Sequence, residues 1–143
     1  MAQEKTGQCM CGAVKFTALT DALTFQICHC EMCRRWTGSA FMGVSVPNDG
    51  LRFQGVAHIR TLQSSDWAER AWCGRCGSTL YYRLTGDTAT TTELSLGLFD
   101  TPSDFTLEEE IFIDQKPGSY AFSGDHPRAT RAEVMAKHGV SLD

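Results

Sequence analysis

The chain carries seven cysteines, and all fall in three tight groups: Cys9-Met10-Cys11, Cys28-His29-Cys30-Glu31-Met32-Cys33 and Cys73-Gly74-Arg75-Cys76. Cysteines that serve only as small buried residues would be dispersed along the chain. At Cys-x-Cys and Cys-x-x-Cys spacing, a short loop instead aims two sulfurs at one point, as a tetrahedral zinc with bonds of about 2.3 Å to sulfur requires. Each close pair is half a site. Cys9 and Cys11 with Cys73 and Cys76 make a closed set of four thiolates, which reads as structural, and Gly12, Gly74 and Gly77 let the backbone turn tightly around it. Cys28, Cys30 and Cys33 remain, one ligand short of a tetrahedron. Three protein ligands plus an open position is the usual arrangement of a catalytic zinc. Two other readings stay open on spacing alone: a second structural zinc completed by His29 or a distant residue, and a redox role for Cys73 and Cys76, which no surrounding βαβ pattern supports.

Composition narrows the setting. The N-terminal run from Met1 to Thr6 has a charge of each sign and no apolar stretch, so neither a secretory signal nor a membrane anchor is expected, and the location expected is cytoplasmic. An odd number of cysteines in a reducing compartment argues against a disulfide framework. The net charge of −4 and the lack of a basic cluster predict no nucleic-acid partner, and the lack of a long apolar run predicts no membrane association.

The segments that must position the cysteines are mostly short and strand-like. Apolar and polar residues alternate over Ala13–Ala18 and Leu23–Ile27, and Ala40–Val46 reads as a strand stopped by Pro47-Asn48-Asp49-Gly50. Further strands are expected at Leu51–Gln54, His58–Leu62, Ala68–Trp72, Thr79–Leu84, Thr92–Leu98 and Glu110–Ile113. A short helical turn should follow Cys30. Pro127 should open a C-terminal helix over Arg128–His138, with Gly139 as its stop. Many short strands without long helices between them predict a mainly β fold of small antiparallel sheets. Phe16, Phe25, Phe41, Phe53 and Leu80 fit the inward phase and are assigned to the core.

With these residues in view, the chain resembles the glutathione-dependent formaldehyde-activating enzyme family, which includes centromere protein V. The matching stretches are Gly7-Gln8-Cys9-Met10-Cys11-Gly12-Ala13-Val14, Cys28-His29-Cys30-Glu31-Met32-Cys33-Arg34 with Gly38, Phe41 and Pro47, and Arg70 to Leu80 around Cys73-Gly74-Arg75-Cys76-Gly77-Ser78. The resemblance implies two zinc ions, a structural one on Cys9, Cys11, Cys73 and Cys76 and a catalytic one on Cys28, Cys30 and Cys33. It implies a β-tent architecture, a single zinc-binding domain over residues 1–143 with its core at about 7–122 and an extension at 123–143. Where relatives commonly carry Trp after the Lys116-Pro117 stretch, this chain has Ser119-Tyr120.

The activity implied is carbon–sulfur lyase chemistry on the adduct of glutathione and formaldehyde, S-hydroxymethylglutathione, or on a related thiol–aldehyde adduct. Three thiolates against a divalent ion leave a net charge of about −1, which mutes Lewis acidity and favours capture of the substrate sulfur over polarisation of an aldehyde oxygen. Arg34 and Arg35 are candidates for the carboxylates of glutathione, with Arg70 and Arg75 beside the third group. His29 and Glu31 are the nearest candidates for proton transfer. The alternative is a non-enzymatic zinc-stabilised protein-interaction domain, as the centromere branch implies.

Overall fold

A computed structural model describes residues 2–139. In chain order the strands are β1 Gln3–Gln8, β2 Lys15–Thr20, β3 Thr24–Cys28, β4 Phe41–Pro47, β5 Leu51–Gln54, β6 Ile59–Gln63, β7 Ala68–Cys73, β8 Thr79–Leu84, β9 Thr91–Ser95, β10 Thr106–Ile111 and β11 Arg128–Ala129. Two short helices accompany them, α1 Glu31–Thr37 and α2 Arg131–Lys137. The fold is mainly β, as expected. Residues up to Thr24 with Gly43–Thr106 form one compact unit, and Phe25–Met42 with the residues from Leu107 onward form another.

In the first unit, β1, β2 and β5 make a small antiparallel sheet in that order. A run of neighbours β4-β9-β8-β7-β6 is antiparallel as well. Val14, Phe16, Ala18, Val44, Val46, Leu80 and Leu94 are buried in this unit. The ring of Phe16 meets Phe53 at 6.2 Å and Phe99 at 5.0 Å, both edge-on, a geometry that the ring quadrupoles favour. Of the five residues assigned to the core, Phe16, Phe41 and Leu80 are buried, whereas Phe25 and Phe53 are only half-buried. For Phe53 the cause is its place on β5, an edge strand of the small sheet.

In the second unit, β10 lies between β3 and β11. β11 pairs in parallel with β10 through Glu110 opposite Arg128 and Ile111 opposite Ala129. The C-terminal helix begins at Arg131, three residues later than Arg128, where the sequence pattern starts it. Thr130 and Glu133 form a reciprocal capping box that sets the first turn, and Arg128–Ala129 is taken up by the sheet. α1 is the helical turn expected after Cys30. It ends at Gly38, whose N–H bonds to Arg34 O at 2.8 Å.

Candidate metal centres

Both halves of the four-cysteine group sit on hairpin loops of the first unit. β1 and β2 pair from Gln3 opposite Thr20 to Gln8 opposite Lys15, which leaves Cys9 to Val14 as the connection. β7 and β8 pair up to Trp72 opposite Thr79, which leaves the second connection around Cys73 to Ser78. The two loops share a hydrogen-bond plan. Cys9 N–H bonds to Val14 O at 2.9 Å and Cys73 N–H to Ser78 O at 2.9 Å, while Gly12 N–H returns to Cys9 O and Gly77 N–H to Cys73 O. Gly12 and Gly77 have φ of +79° and +81°, a region that a side chain would strain, so each loop closes with glycine. Ser78 links the loops: its Oγ accepts from Met10 N–H at 3.0 Å and lies 3.2 Å from Cys76 Sγ.

The four sulfurs of Cys9, Cys11, Cys73 and Cys76 all lie within 4.8 Å of one another. Cys9 Sγ is 3.6 Å from Cys11 Sγ, and Cys11 Sγ is 3.9 Å from Cys73 Sγ. A regular tetrahedron with metal–sulfur bonds near 2.3 Å has edges of about 3.8 Å, so these spacings fit a tetrathiolate ion. None of the seven cysteines is in a disulfide. Ionisation within the group is uneven. Hydrogen bonds from the Ser78 hydroxyl and N–H draw Cys76 down to about 5, against the burial that opposes it. Cys11 is pushed up to about 11: its bond from Ala13 N–H favours the thiolate, but burial and the neighbouring thiols together outweigh it. Cys9 is disfavoured by burial yet held below the ordinary thiol value by Val14 N–H, whose nitrogen is 3.3 Å from its sulfur. Four thiolates this close repel one another, and a divalent cation bound among them would offset that repulsion.

The other three cysteines belong to the second unit. Cys28 ends β3, Cys30 caps α1 and Cys33 lies buried in its first turn. Their sulfurs also lie within 4.8 Å of one another, and among the described residues no fourth His, Cys, Asp or Glu joins them. Cys30 Sγ accepts the N–H of Cys33 at 3.3 Å. Cys28 is pushed well above the ordinary thiol value by sharing its proton with Cys30 and Cys33, and burial adds to this. Three sulfurs this close are again a donor set suited to a divalent ion.

His29 is 1% exposed, and its Nε2–H donates to Glu110 Oε1 at 2.6 Å. Its ring lies 6.3 Å from that of Tyr120 and 6.0 Å from that of Phe122. Glu31 is exposed on α1. Its carboxylate takes the Nε–H of Arg35 at 3.0 Å, and its N–H donates to Gln115 Oε1. Arg34 is half-exposed. Arg70 is buried and stacks over the Tyr82 ring at 4.8 Å.

Sequence reasoning missed the group built on Glu110. Its Oε2 accepts from His126 Nε2–H at 2.5 Å and Arg128 Nε–H at 3.1 Å, and the carboxylate is 1% exposed. In sequence it stands last in Glu108-Glu109-Glu110, a charge run that reads as a solvated face. Nothing local marks it, because its partners come from residues 29, 126 and 128.

The family model described as glutathione-dependent formaldehyde-activating enzyme matches residues 4–115. An uncharacterized lyase of Schizosaccharomyces pombe is 32% identical over 132 residues, covering 92% of this chain and 95% of its own. A Halomonas elongata protein with the provisional name of glutathione-dependent formaldehyde-activating enzyme is 30% identical over 83 residues, 52% of this chain and 53% of its own. The crystal structure of a Rhodobacter sphaeroides protein shares the fold with a TM-score of 0.55 at 18% identity, covering 86% of this chain and 98% of that one. The family match spans both cysteine clusters, and the chain belongs to the glutathione-dependent formaldehyde-activating enzyme family.

Proposed function

We propose that this chain is a carbon–sulfur lyase that acts on S-hydroxymethylglutathione or a related thiol–aldehyde adduct, with zinc held at Cys28, Cys30 and Cys33. A second, structural zinc is assigned to Cys9, Cys11, Cys73 and Cys76. The observation that carries the reading is the convergence of three thiols with no fourth donor beside them among the described residues. Zinc bound there would supply a coordination position at which a substrate thiol is held as thiolate near neutral pH. In the cleavage direction the adduct loses its hydroxyl proton as the carbon–oxygen double bond forms. The carbon–sulfur pair passes to sulfur, which is released as the thiol after gaining a proton.

The chain's own groups divide the remaining work. Arg34 and Arg35 are assigned to the carboxylates of glutathione, since the exposed pair of Arg35 with Glu31 is weak enough to give way to substrate. Glu31, on the exposed side of α1 next to Cys30, is the group assigned to proton exchange. His29 has no exposed face for that task, and its Nε2 proton is committed to Glu110.

Turnover of the glutathione–formaldehyde adduct by zinc-loaded protein tests the proposal. Cys30→Ser should lower the rate by more than about a hundredfold, since losing a residue that only supports a metal ligand already costs about tenfold to a hundredfold. Equal rates in the wild type and variant would sink it. Recovery of one stoichiometric protein partner from cells, without turnover of any thiol adduct, would favour the interaction-domain alternative.

A further inference from the structure

Glu110 is the only buried acidic side chain among the described residues. A buried ionic group is often replaceable by apolar residues at no loss of stability, so its presence asks for a reason of placement rather than of strength. The placement is specific. Glu110 grips the His29 ring at 2.6 Å, and the next residue of the same strand, Ile111, accepts the backbone N–H of His29 at 3.1 Å. One residue is thus held at backbone and side chain by two consecutive residues of β10. That residue stands between Cys28 and Cys30, whose sulfurs converge with Cys33 within 4.8 Å. Fixing His29 fixes the chain direction on both sides of it, and hence the aim of both thiols.

We infer that Glu110 is a positioning residue for the three-thiol centre, acting through His29, and that His126 and Arg128 hold Glu110 in turn. This rests on the reading of Cys28, Cys30 and Cys33 as a metal centre. His126 and Arg128 lie beyond the span of the family match, so the grip on Glu110 draws on the C-terminal segment of this chain. A carboxylate oxygen can only accept, so the proton shared with His29 sits on Nε2, and the same holds for His126. The His29 Nδ1 atom is buried with no hydrogen-bond partner, so the Nε2 bond to Glu110 is what fixes the ring by hydrogen bonding, with Tyr120 and Phe122 packed beside it.

The test is competition between the zinc-loaded protein and a chromophoric chelator, read as two separate release steps, with the four-thiol ion as internal control. In Glu110→Gln the three-thiol ion should be held about 10–100-fold more weakly and the four-thiol ion unchanged. His29→Gln, with Glu110 intact, can offer an amide N–H near the position of Nε2 and should retain most of the affinity. His29→Asn places its amide near Nδ1 and should not. This pair keeps the inference open to refutation even if Glu110→Gln fails to fold. Two ions held as in the wild type by Glu110→Gln, or equal behaviour of His29→Gln and His29→Asn, would overturn the role of Glu110 alone. A wild-type protein that binds a single ion would overturn the metal reading beneath it, and the positioning role with it.

Discussion

Cys76 and Cys11 share one cluster and are driven in opposite directions, to about 5 and about 11. The hydroxyl of Ser78 explains the first, and crowding by like thiols explains much of the second. A divalent ion removes the conflict by making every thiolate favourable, so loss of one thiol in this group should be felt as loss of fold. Cys76→Ser is expected to lower stability by at least about 2–3 kcal/mol in denaturant titration. Cys30→Ser should leave the first unit's transition unchanged. Equal destabilisation by the two variants would contradict the division of roles. The cysteines were legible in the sequence because ligand geometry forces short spacings, which a single chain displays openly. Glu110 was not, because burial of an acid depends on partners 81 and 16 residues away, and three consecutive glutamates look alike until the sheet is built.

Elements were legible in proportion to their apolar alternation. β5 and β8 begin and end where the pattern places them, and β4, β6 and β7 differ by one residue at one or both ends. β1 went unread because Gln3–Gln8 carries no apolar residue but glycine. It is held by its pairing with β2, not by a hydrophobic face of its own. The expected strand over Thr92–Leu98 stops at Ser95 and turns into a short 3-10 segment over Leu96–Leu98. Within β9, Glu93 accepts from the hydroxyls of Ser45 at 3.0 Å and Thr91 at 3.4 Å. Burial is the larger influence and raises its pKa in the folded state above the usual carboxylate value, while the two hydroxyls pull it back only in part. The folded state therefore holds this proton more tightly than the unfolded state does. Stability should fall as pH rises from the ordinary glutamate value through the raised one. Glu93→Gln, which keeps both acceptor contacts, should remove that decline and be the more stable protein at neutral pH, as measured by thermal unfolding across pH. A variant with the same pH slope as the wild type would count against this account of Glu93.

At the scale of the molecule, each compact unit carries one thiol cluster: four thiols in the unit containing β1, β2, β7 and β8, and three in the unit containing β3 and α1. No helix among the described residues is long and apolar enough to cross a membrane. Stripping metal with a strong chelator should lower the midpoint of thermal unfolding by about 10 °C or more, because an ion that binds only the folded state stabilises by mass action. An unchanged midpoint would mean that the four thiols hold no ion that matters to folding. The most direct measurement is cadmium NMR of protein loaded with two cadmium ions, before and after glutathione is added. One resonance in the four-sulfur range should stay fixed, and one in the three-sulfur range should move toward four sulfurs as the glutathione thiol binds. Two four-sulfur resonances, both indifferent to glutathione, would contradict the proposal.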